Sequence, residues 1–193
     1  MKKIAIFASG SGSNTENIAR YFENNKYVKV ELILSNRKNA YVLKRAEKLN
    51  IPSYVFTKEE LYHTSKIKDF LLNKNIDLIV LAGFLLLIPK HLIAAFPNRI
   101  INIHPALLPK YGGKGMYGDR VHQKVLENGD AESGITIHYV NENYDEGQII
   151  HQSKFPVEPG DSVEDIAQKA HALEYKYYPS VIEKLLTEGS RTK

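Results

Sequence analysis

The 193-residue chain contains no cysteine. That excludes a disulfide scaffold, a thiolate zinc site, an iron–sulfur cluster and a cysteine nucleophile, and it suits a reducing cytoplasm, the expected location. Long apolar runs are also lacking. The longest, residues 78–88, falls well short of the ~20 residues that span a bilayer. The apolar start at residues 4–8 breaks into Gly-Ser-Gly-Ser too soon for the core of a signal peptide. There is no basic block. The net charge of +4 comes from Lys and Arg scattered along the chain, which describes a solvated surface better than a nucleic-acid footprint. Neither a membrane nor a nucleic acid is therefore expected as a partner, and the modest positive charge suits an anionic small molecule. No G-x-S-x-G elbow supports a serine hydrolase. Repeats, low-complexity tracts and Pro/Gly/Ser linkers are absent as well.

What remains is an ordinary globular composition, 43% hydrophobic and 25% charged. A chain of this size buries roughly 70% of its unfolded surface, so one domain over residues 1–193 is expected. Its first part, residues 1–105, alternates strand-like and helix-like segments. Strands are predicted at residues 3–9, 28–35, 53–57, 76–82 and 99–103. Helices are predicted at 14–25 and 40–49, after a capping box at Thr57-Lys58-Glu59-Glu60, and from Pro89. This alternation implies βαβ units: an α/β, Rossmann-like, mostly parallel twisted sheet with helices on both faces. The second part, residues 106–193, changes character. Residues 134–140 alternate like a half-exposed strand, and 148–156 suits a partner for it, giving an antiparallel C-terminal extension. Ser162 then caps a long helix to about Leu186, with Ile166, Ala170, Leu173, Tyr177, Val181 and Leu185 as its apolar stripe.

Three motifs carry chemistry. Ser9-Gly10-Ser11-Gly12-Ser13-Asn14 follows the first strand. Amides at the start of the next helix attract an anion such as a phosphate, and glycine lets the backbone approach it; a plain strand-to-helix turn competes with this reading. The loop is a poor dinucleotide fingerprint, since Thr15 stands where a third small residue belongs and no acidic residue follows the second strand. Arg37 keeps an NADP reading open. The second motif is Asn102-Ile103-His104-Pro105. Side chains two apart on a strand share a face, so Asn102 and His104 project together at the carboxyl end of a strand, where open α/β sheets place ligands. An amide donor beside an imidazole suits acyl transfer; a histidine bonded to a backbone carbonyl at the core edge is the alternative. The third is Tyr144-Asp145-Glu146-Gly147, whose carboxylate would orient a histidine, although from spacing alone a solvated turn is the better reading. His138, His151 and His91 carry little signal, and His104 and His122 lie either side of a Gly-rich loop without requiring a metal.

On these residues the chain resembles the folate-dependent formyltransferases, and within them the glycinamide ribonucleotide branch. The resemblance spans nearly the whole chain: KIAIFASGSGSN, DLIVLAGFLLLIP, RIINIHPALLPKYGG, LENGD, SGITIHYVNENYDEGQII and VEPGDSVEDIAQKAHALEYKYYP. It implies transfer of the formyl group of 10-formyltetrahydrofolate, a co-substrate, to the amine of glycinamide ribonucleotide in purine synthesis, without a metal. By resemblance Asn102, His104 and Asp145 are catalytic. Gly12, Ser13, Asn14, His171 and Glu174 contact the acceptor. Leu85, Leu86, Leu87 and Ile88, with Asn102, Asn141, Glu142, Asn143 and Tyr144, bind the folate. Small molecules are then the partners of a monomer or weak homodimer. The chain departs from the familiar short form in three places: Leu85-Leu86 replaces Met-Arg, residues 110–121 are a few residues longer and add Met116 and Tyr117, and His171 stands where others carry Gln or Lys.

The implied mechanism has Asn102 and protonated His104 meeting a tetrahedral oxyanion, with Asp145 favouring the imidazolium and a water relay carrying protons. The Gly-rich loop at 111–117 is expected to close over the substrates and exclude water, a mobile surface loop being the competing reading. Four rivals stay open. A deformylase would use water as acceptor but usually carries an extra N-terminal regulatory domain, whereas the first strand here begins at Lys3. A methionyl-tRNA formyltransferase would add a C-terminal domain. A non-catalytic nucleotide-binding module and an NADP oxidoreductase complete the set.

Overall fold

The computed structural model describes residues 1–188. Seven strands form one sheet in the order β3-β2-β1-β4-β5-β6-β7. Strands β1 (Lys2–Phe7), β2 (Val28–Ser35), β3 (Ser53–Val55), β4 (Leu78–Leu81) and β5 (Ile100–His104) run parallel. Strands β6 (Glu132–Tyr139) and β7 (Ile149–Pro156) continue the sheet antiparallel. The α/β fold with an antiparallel C-terminal extension is thus the one expected from sequence.

The period of two along each strand builds a core on both faces. Ile4, Ile6 and Ala8 point to one face, where they meet α1 (Ser13–Tyr21), α2 (Tyr41–Lys48) and α7 (Val163–Glu188). Ala5 and Phe7 point to the other, against α3 (Lys58–Tyr62), α4 (Lys66–Asn73) and α5 (Lys90–Ala95). Strand order reverses between β1 and β4, and the loops leaving those strands diverge to opposite faces. The crevice between them is the topological switch point of the sheet, the position where open α/β folds bind ligands.

Three elements differ from the sequence reading. The Thr57 capping box is present, with the Glu60 N–H donating to Thr57 Oγ1 and the Thr57 N–H to Glu60 Oε2. The helix it opens nevertheless stops at His63. Thr64 Oγ1 donates back to the Glu60 carbonyl and accepts from Lys66 N–H, so α4 starts as a separate helix. A short helix, α6 (Asp119–Glu127), follows the Gly-rich loop, where the sequence reading assigned no element; its buried face is just Val121, His122 and Val125, too brief a pattern to stand out.

The third difference lies on α7. Its deeply buried line is Ile166, Ala170, Glu174, Tyr178, Ile182 and Leu186, with Leu173, Tyr177, Val181 and Leu185 only partly covered beside it. The apolar stripe read from sequence is therefore rotated by one residue over the second half. Tyr178 explains the rotation: it is fully buried, and its hydroxyl donates to the Leu81 carbonyl at 2.9 Å, fastening α7 across the sheet beneath the crevice. Pro179 sits inside this helix and denies the Tyr175 carbonyl its usual donor. Asn17 Nδ2 from α1 supplies the missing hydrogen bond at 3.0 Å, so the helix continues and is tied to α1. Among the described residues no helix is long and apolar enough to cross a membrane.

Candidate active site

The switch-point crevice holds a cavity of about 570 Å³. Its floor is the carboxyl end of β5 with Asn102 and His104. One wall is the loop after β1 with Gly12, Ser13 and Asn14. The opposite wall is the segment after β4 with Leu85, Leu86, Leu87 and Ile88. Asn143, Tyr144 and Asp145 close it from the β6–β7 connection, and His171 and Glu174 from α7. Asn141 and Glu142 do not line it. Asn141 Oδ1 accepts from the Asn143 N–H and so shapes the turn, while Glu142 pairs with Lys90 outside.

Asn102 and His104 share a face of β5 as their spacing demands. His104 is 4% exposed. Its Nδ1 faces Asp145 Oδ2 at 3.5 Å, and its Nε2 lies 2.7 Å from the Tyr111 carbonyl. Burial lowers the His104 pKa below the ordinary imidazole value, with the His138 ring adding to it, and the Asp145 charge and the Tyr111 carbonyl only partly offset this. The resting ring is therefore neutral near pH 7. The imidazolium expected from sequence is therefore not favoured by burial. Asp145 is likewise buried, which alone would raise its pKa; its contacts with the His138 and His104 rings and the Gly113 N–H at 3.0 Å outweigh burial and hold it low. It is a carboxylate at working pH.

His138 is the residue that sequence reasoning passed over. It pairs with Asn102 across the antiparallel β5–β6 ladder. Its Nδ1 lies 2.9 Å from the Tyr139 carbonyl, which only accepts, so Nδ1 carries a proton. In the neutral ring Nε2 is then an acceptor, and it takes a hydrogen bond from Asn102 Nδ2 at 3.1 Å. The other Asn102 N–H points toward Asp145 Oδ1 at 3.4 Å, a long contact for which an incoming oxyanion can compete. Only the cross-strand register reveals this arrangement.

Ser9 has a role that its place in the glycine loop does not display. It is buried, donates its hydroxyl to Asn36 Oδ1 and accepts from the Leu85 N–H, so it locks the two cavity walls together. Gly12 is in the left-handed region at φ 75°, and a Cβ there would lie 2.4 Å from Val42 Cγ2. Packing against α2 thus forbids a side chain at Gly12 even without a phosphate, a reason that adds to the one inferred from sequence. The Ser13 and Asn14 amides open α1 without intrahelical acceptors. Asn14 Nδ2 donates to Glu174 Oε2 at 2.7 Å, leaving Asn14 Oδ1 buried with no partner. Burial raises the Glu174 pKa, against the Asn14 hydrogen bond and the nearby His171 charge.

A family profile described as "Formyl transferase" matches residues 2–182. The chain belongs to the formyl transferase family. It is 39% identical over 194 residues to the phosphoribosylglycinamide formyltransferase of Haemophilus influenzae, covering 98% of this chain and 89% of that one. With the Bacillus subtilis protein of the same name it is 38% identical, covering 99% and 98%. The chloroplastic relative from Arabidopsis thaliana is 42% identical, and the chain spans 64% of its length. Among solved structures, glycinamide ribonucleotide transformylase 1 from Geobacillus kaustophilus superposes with a TM-score of 0.87 at 36% identity, covering 96% of this chain and 99% of that one. In this formyl transferase the Gly-rich segment after β5 is part of the cavity wall, through Gly113, Lys114, Gly115, Met116, Tyr117 and Gly118.

His122 lies just behind that segment, 2% exposed on α6, with Nδ1 buried and unpartnered. Its pKa is lowered to about 4, chiefly by burial, with Asp119 opposing and the neighbouring His171 and His104 rings adding to the shift. The unfolded value is ~6.5. Between the two values the unfolded chain binds a proton that the folded one refuses, so stability falls as pH drops from ~6.5 toward 4, by up to about 3 kcal/mol. Urea unfolding at stepped pH should show this slope for the wild type and a shallower one for His122→Gln. Parallel slopes would show that His122 is not its source.

Proposed function

We propose that this formyl transferase is a phosphoribosylglycinamide formyltransferase, moving the formyl group of 10-formyltetrahydrofolate to the amine of glycinamide ribonucleotide. The observation that carries this reading is the juxtaposition of the Asn102, His104 and Asp145 cluster with two chemically different cavity ends. One end is apolar, with Leu85, Leu86, Leu87, Ile88, Val140 and Tyr144, and fits a flat heterocycle. The other offers the free amides of Ser13 and Asn14 at a helix start and the Glu174 carboxyl, and fits a sugar phosphate. We assign donor and acceptor to these ends respectively. The whole of residues 1–193 serves as one catalytic domain in this reading. The full-length relatives bear the transferase name, and none of the comparisons favours the deformylase.

The bound donor supplies an activated formyl carbon. Ser13 and Asn14 hold the acceptor phosphate so that the amine points at that carbon, and the Leu85–Ile88 wall orients the donor ring. As the amine attacks, negative charge grows on the formyl oxygen, and Asn102 Nδ2 turns a hydrogen toward it. Neutral His104 takes a proton from the attacking amine, directly or through one water. Asp145 stabilises the imidazolium so formed, and the proton then moves on to the leaving nitrogen. One oxyanion donor in a water-poor site contributes on the order of 3 kcal/mol. The partners are small molecules, and we place the activity in the cytoplasm.

The test is an assay of the purified protein with the formyl donor, with glycinamide ribonucleotide present or absent. Donor consumption that depends on the acceptor, with stoichiometric formylation, is the expected result. Equal consumption without acceptor would establish the deformylase and overturn this reading.

A further inference from the structure

We infer that Tyr111 is a positioning residue for His104: its carbonyl fixes the His104 proton on Nε2 from behind, so that Nδ1 is the nitrogen that exchanges protons in the cavity. This rests on the reading of His104 as a catalytic group. The carbonyl lies 2.7 Å from Nε2 and can only accept, so Nε2 is the donor. Tyr111 does not line the 570 Å³ cavity. It lines a separate hollow of about 270 Å³ with Leu107, Lys110, Asp130, Glu132 and Ser133. The Nε2 side of the ring thus faces away from the substrates, and the Nδ1 side faces Asp145, which does line the main cavity.

The carbonyl needs to be held. Tyr111 has φ 57°, a left-handed conformation that a bulky residue adopts only when its surroundings enforce it. The enforcement comes from its side chain. The Tyr111 hydroxyl donates to Asp130 Oδ2 at 2.8 Å and accepts from Asn128 Nδ2 at 2.8 Å. Lys110 Nζ binds the other oxygen of Asp130 at 3.1 Å. Asn128 and Asp130 lie in the turn that directly follows α6, and neither lines the main cavity. Two residues beyond Tyr111, the Gly113 N–H holds Asp145 Oδ2, and a Cβ on Gly112 would lie 2.8 Å from Leu108 Cδ2 and 3.3 Å from Asp145 Cβ. One short strap therefore sets both His104 and Asp145, and the turn outside the cavity anchors the strap.

Tyr111→Phe tests this, because it keeps the ring and removes both hydroxyl bonds; Asn128→Ala removes one of them and serves as the second variant. The charged and titratable groups around His104 are Asp145, His138 and His122, and all three remain in both variants. Nitrogen-15 spectra of the His104 ring in the wild type should show the Nε2–H tautomer at pH above its titration. In Tyr111→Phe the tautomers should mix. Loss of a firm acceptor for the charged ring should also move the pH limb that reports His104 to lower pH, and kcat should fall about tenfold with both KM values little changed. A wild-type ring protonated on Nδ1 would overturn the proposal, and so would a Tyr111→Phe protein with an unaltered ring spectrum and pH limb. The tautomer is read without turnover, so it still tests the Tyr111 contact if His104→Ala proves fully active and the catalytic reading fails.

Discussion

His104→Ala should lower kcat by about 10³-fold while both KM values stay within about twofold. The side chain is nearly inaccessible and sits at the cavity floor, so in the proposed reaction its removal costs little binding but takes away the proton acceptor and the cation formed beside the developing charge. Asp145→Asn should cut kcat by about 10²-fold for a related reason, and its pH profile carries a sign. The Asp145 charge raises the His104 pKa against burial, so the limb reporting His104 should move to lower pH when that charge is removed. Steady-state kinetics between pH 5 and 9 measure both effects. A His104→Ala enzyme with kcat within threefold of the wild type would remove His104 from the chemistry. A limb that moves upward in Asp145→Asn would refute the electrostatic coupling.

Gly147→Ala should be nearly as damaging, although Gly147 does not line the cavity. A Cβ at this residue would lie 1.7 Å from the Tyr139 carbonyl oxygen and 2.7 Å from its carbon, so the backbone must shift. Positive φ is not the reason; close approach of two chain segments is. That same Tyr139 carbonyl accepts from His138 Nδ1, and His138 Nε2 in turn accepts from Asn102. Displacing it frees the His138 tautomer and the orientation of the Asn102 carboxamide together. We expect kcat to drop by about 10²-fold with a clear loss of thermal stability, measured by kinetics alongside a melting curve. Activity within twofold of the wild type would show that the β6–β7 connection tolerates the shift and that Asn102 does not depend on it. This contact gives the Asp-x-Gly pattern its physical content: the aspartate lines the cavity, and the glycine lets its loop pass against β6.

The legible parts of the site are those whose geometry is local. Two residues of spacing on one strand put Asn102 and His104 on a common face, and Pro105 marked where that face meets the crevice. A glycine-rich turn before an amphipathic helix located the free amides of Ser13 and Asn14. Asp145 was a weak candidate by spacing and became one of the three through resemblance. His138, Tyr111 and Ser9 stayed hidden because each acts through a partner that no local pattern names. His138 meets Asn102 only through the β5–β6 register, Ser9 ties to a segment 76 residues away, and Tyr111 acts through its carbonyl, which the sequence does not display.

The sequence by itself determined the α/β alternation, the antiparallel extension, the capped helices and the strand end that carries the Asn-His pair. Periods of 2 and 3.6 and turn chemistry are written within a few residues of each other, so they survive reading in one dimension. Tertiary structure alone decided which side of α7 is buried, carrying Glu174 and Tyr178 to the sheet in place of a more apolar line. It also decided why Gly12 and Gly147 bear no side chain, and that the His104 ring is buried with its Nε2 against the Tyr111 carbonyl. Those outcomes depend on burial and on contacts between segments far apart in the chain. Desolvation and hydrogen-bond partners exist only once the sheet has closed around them.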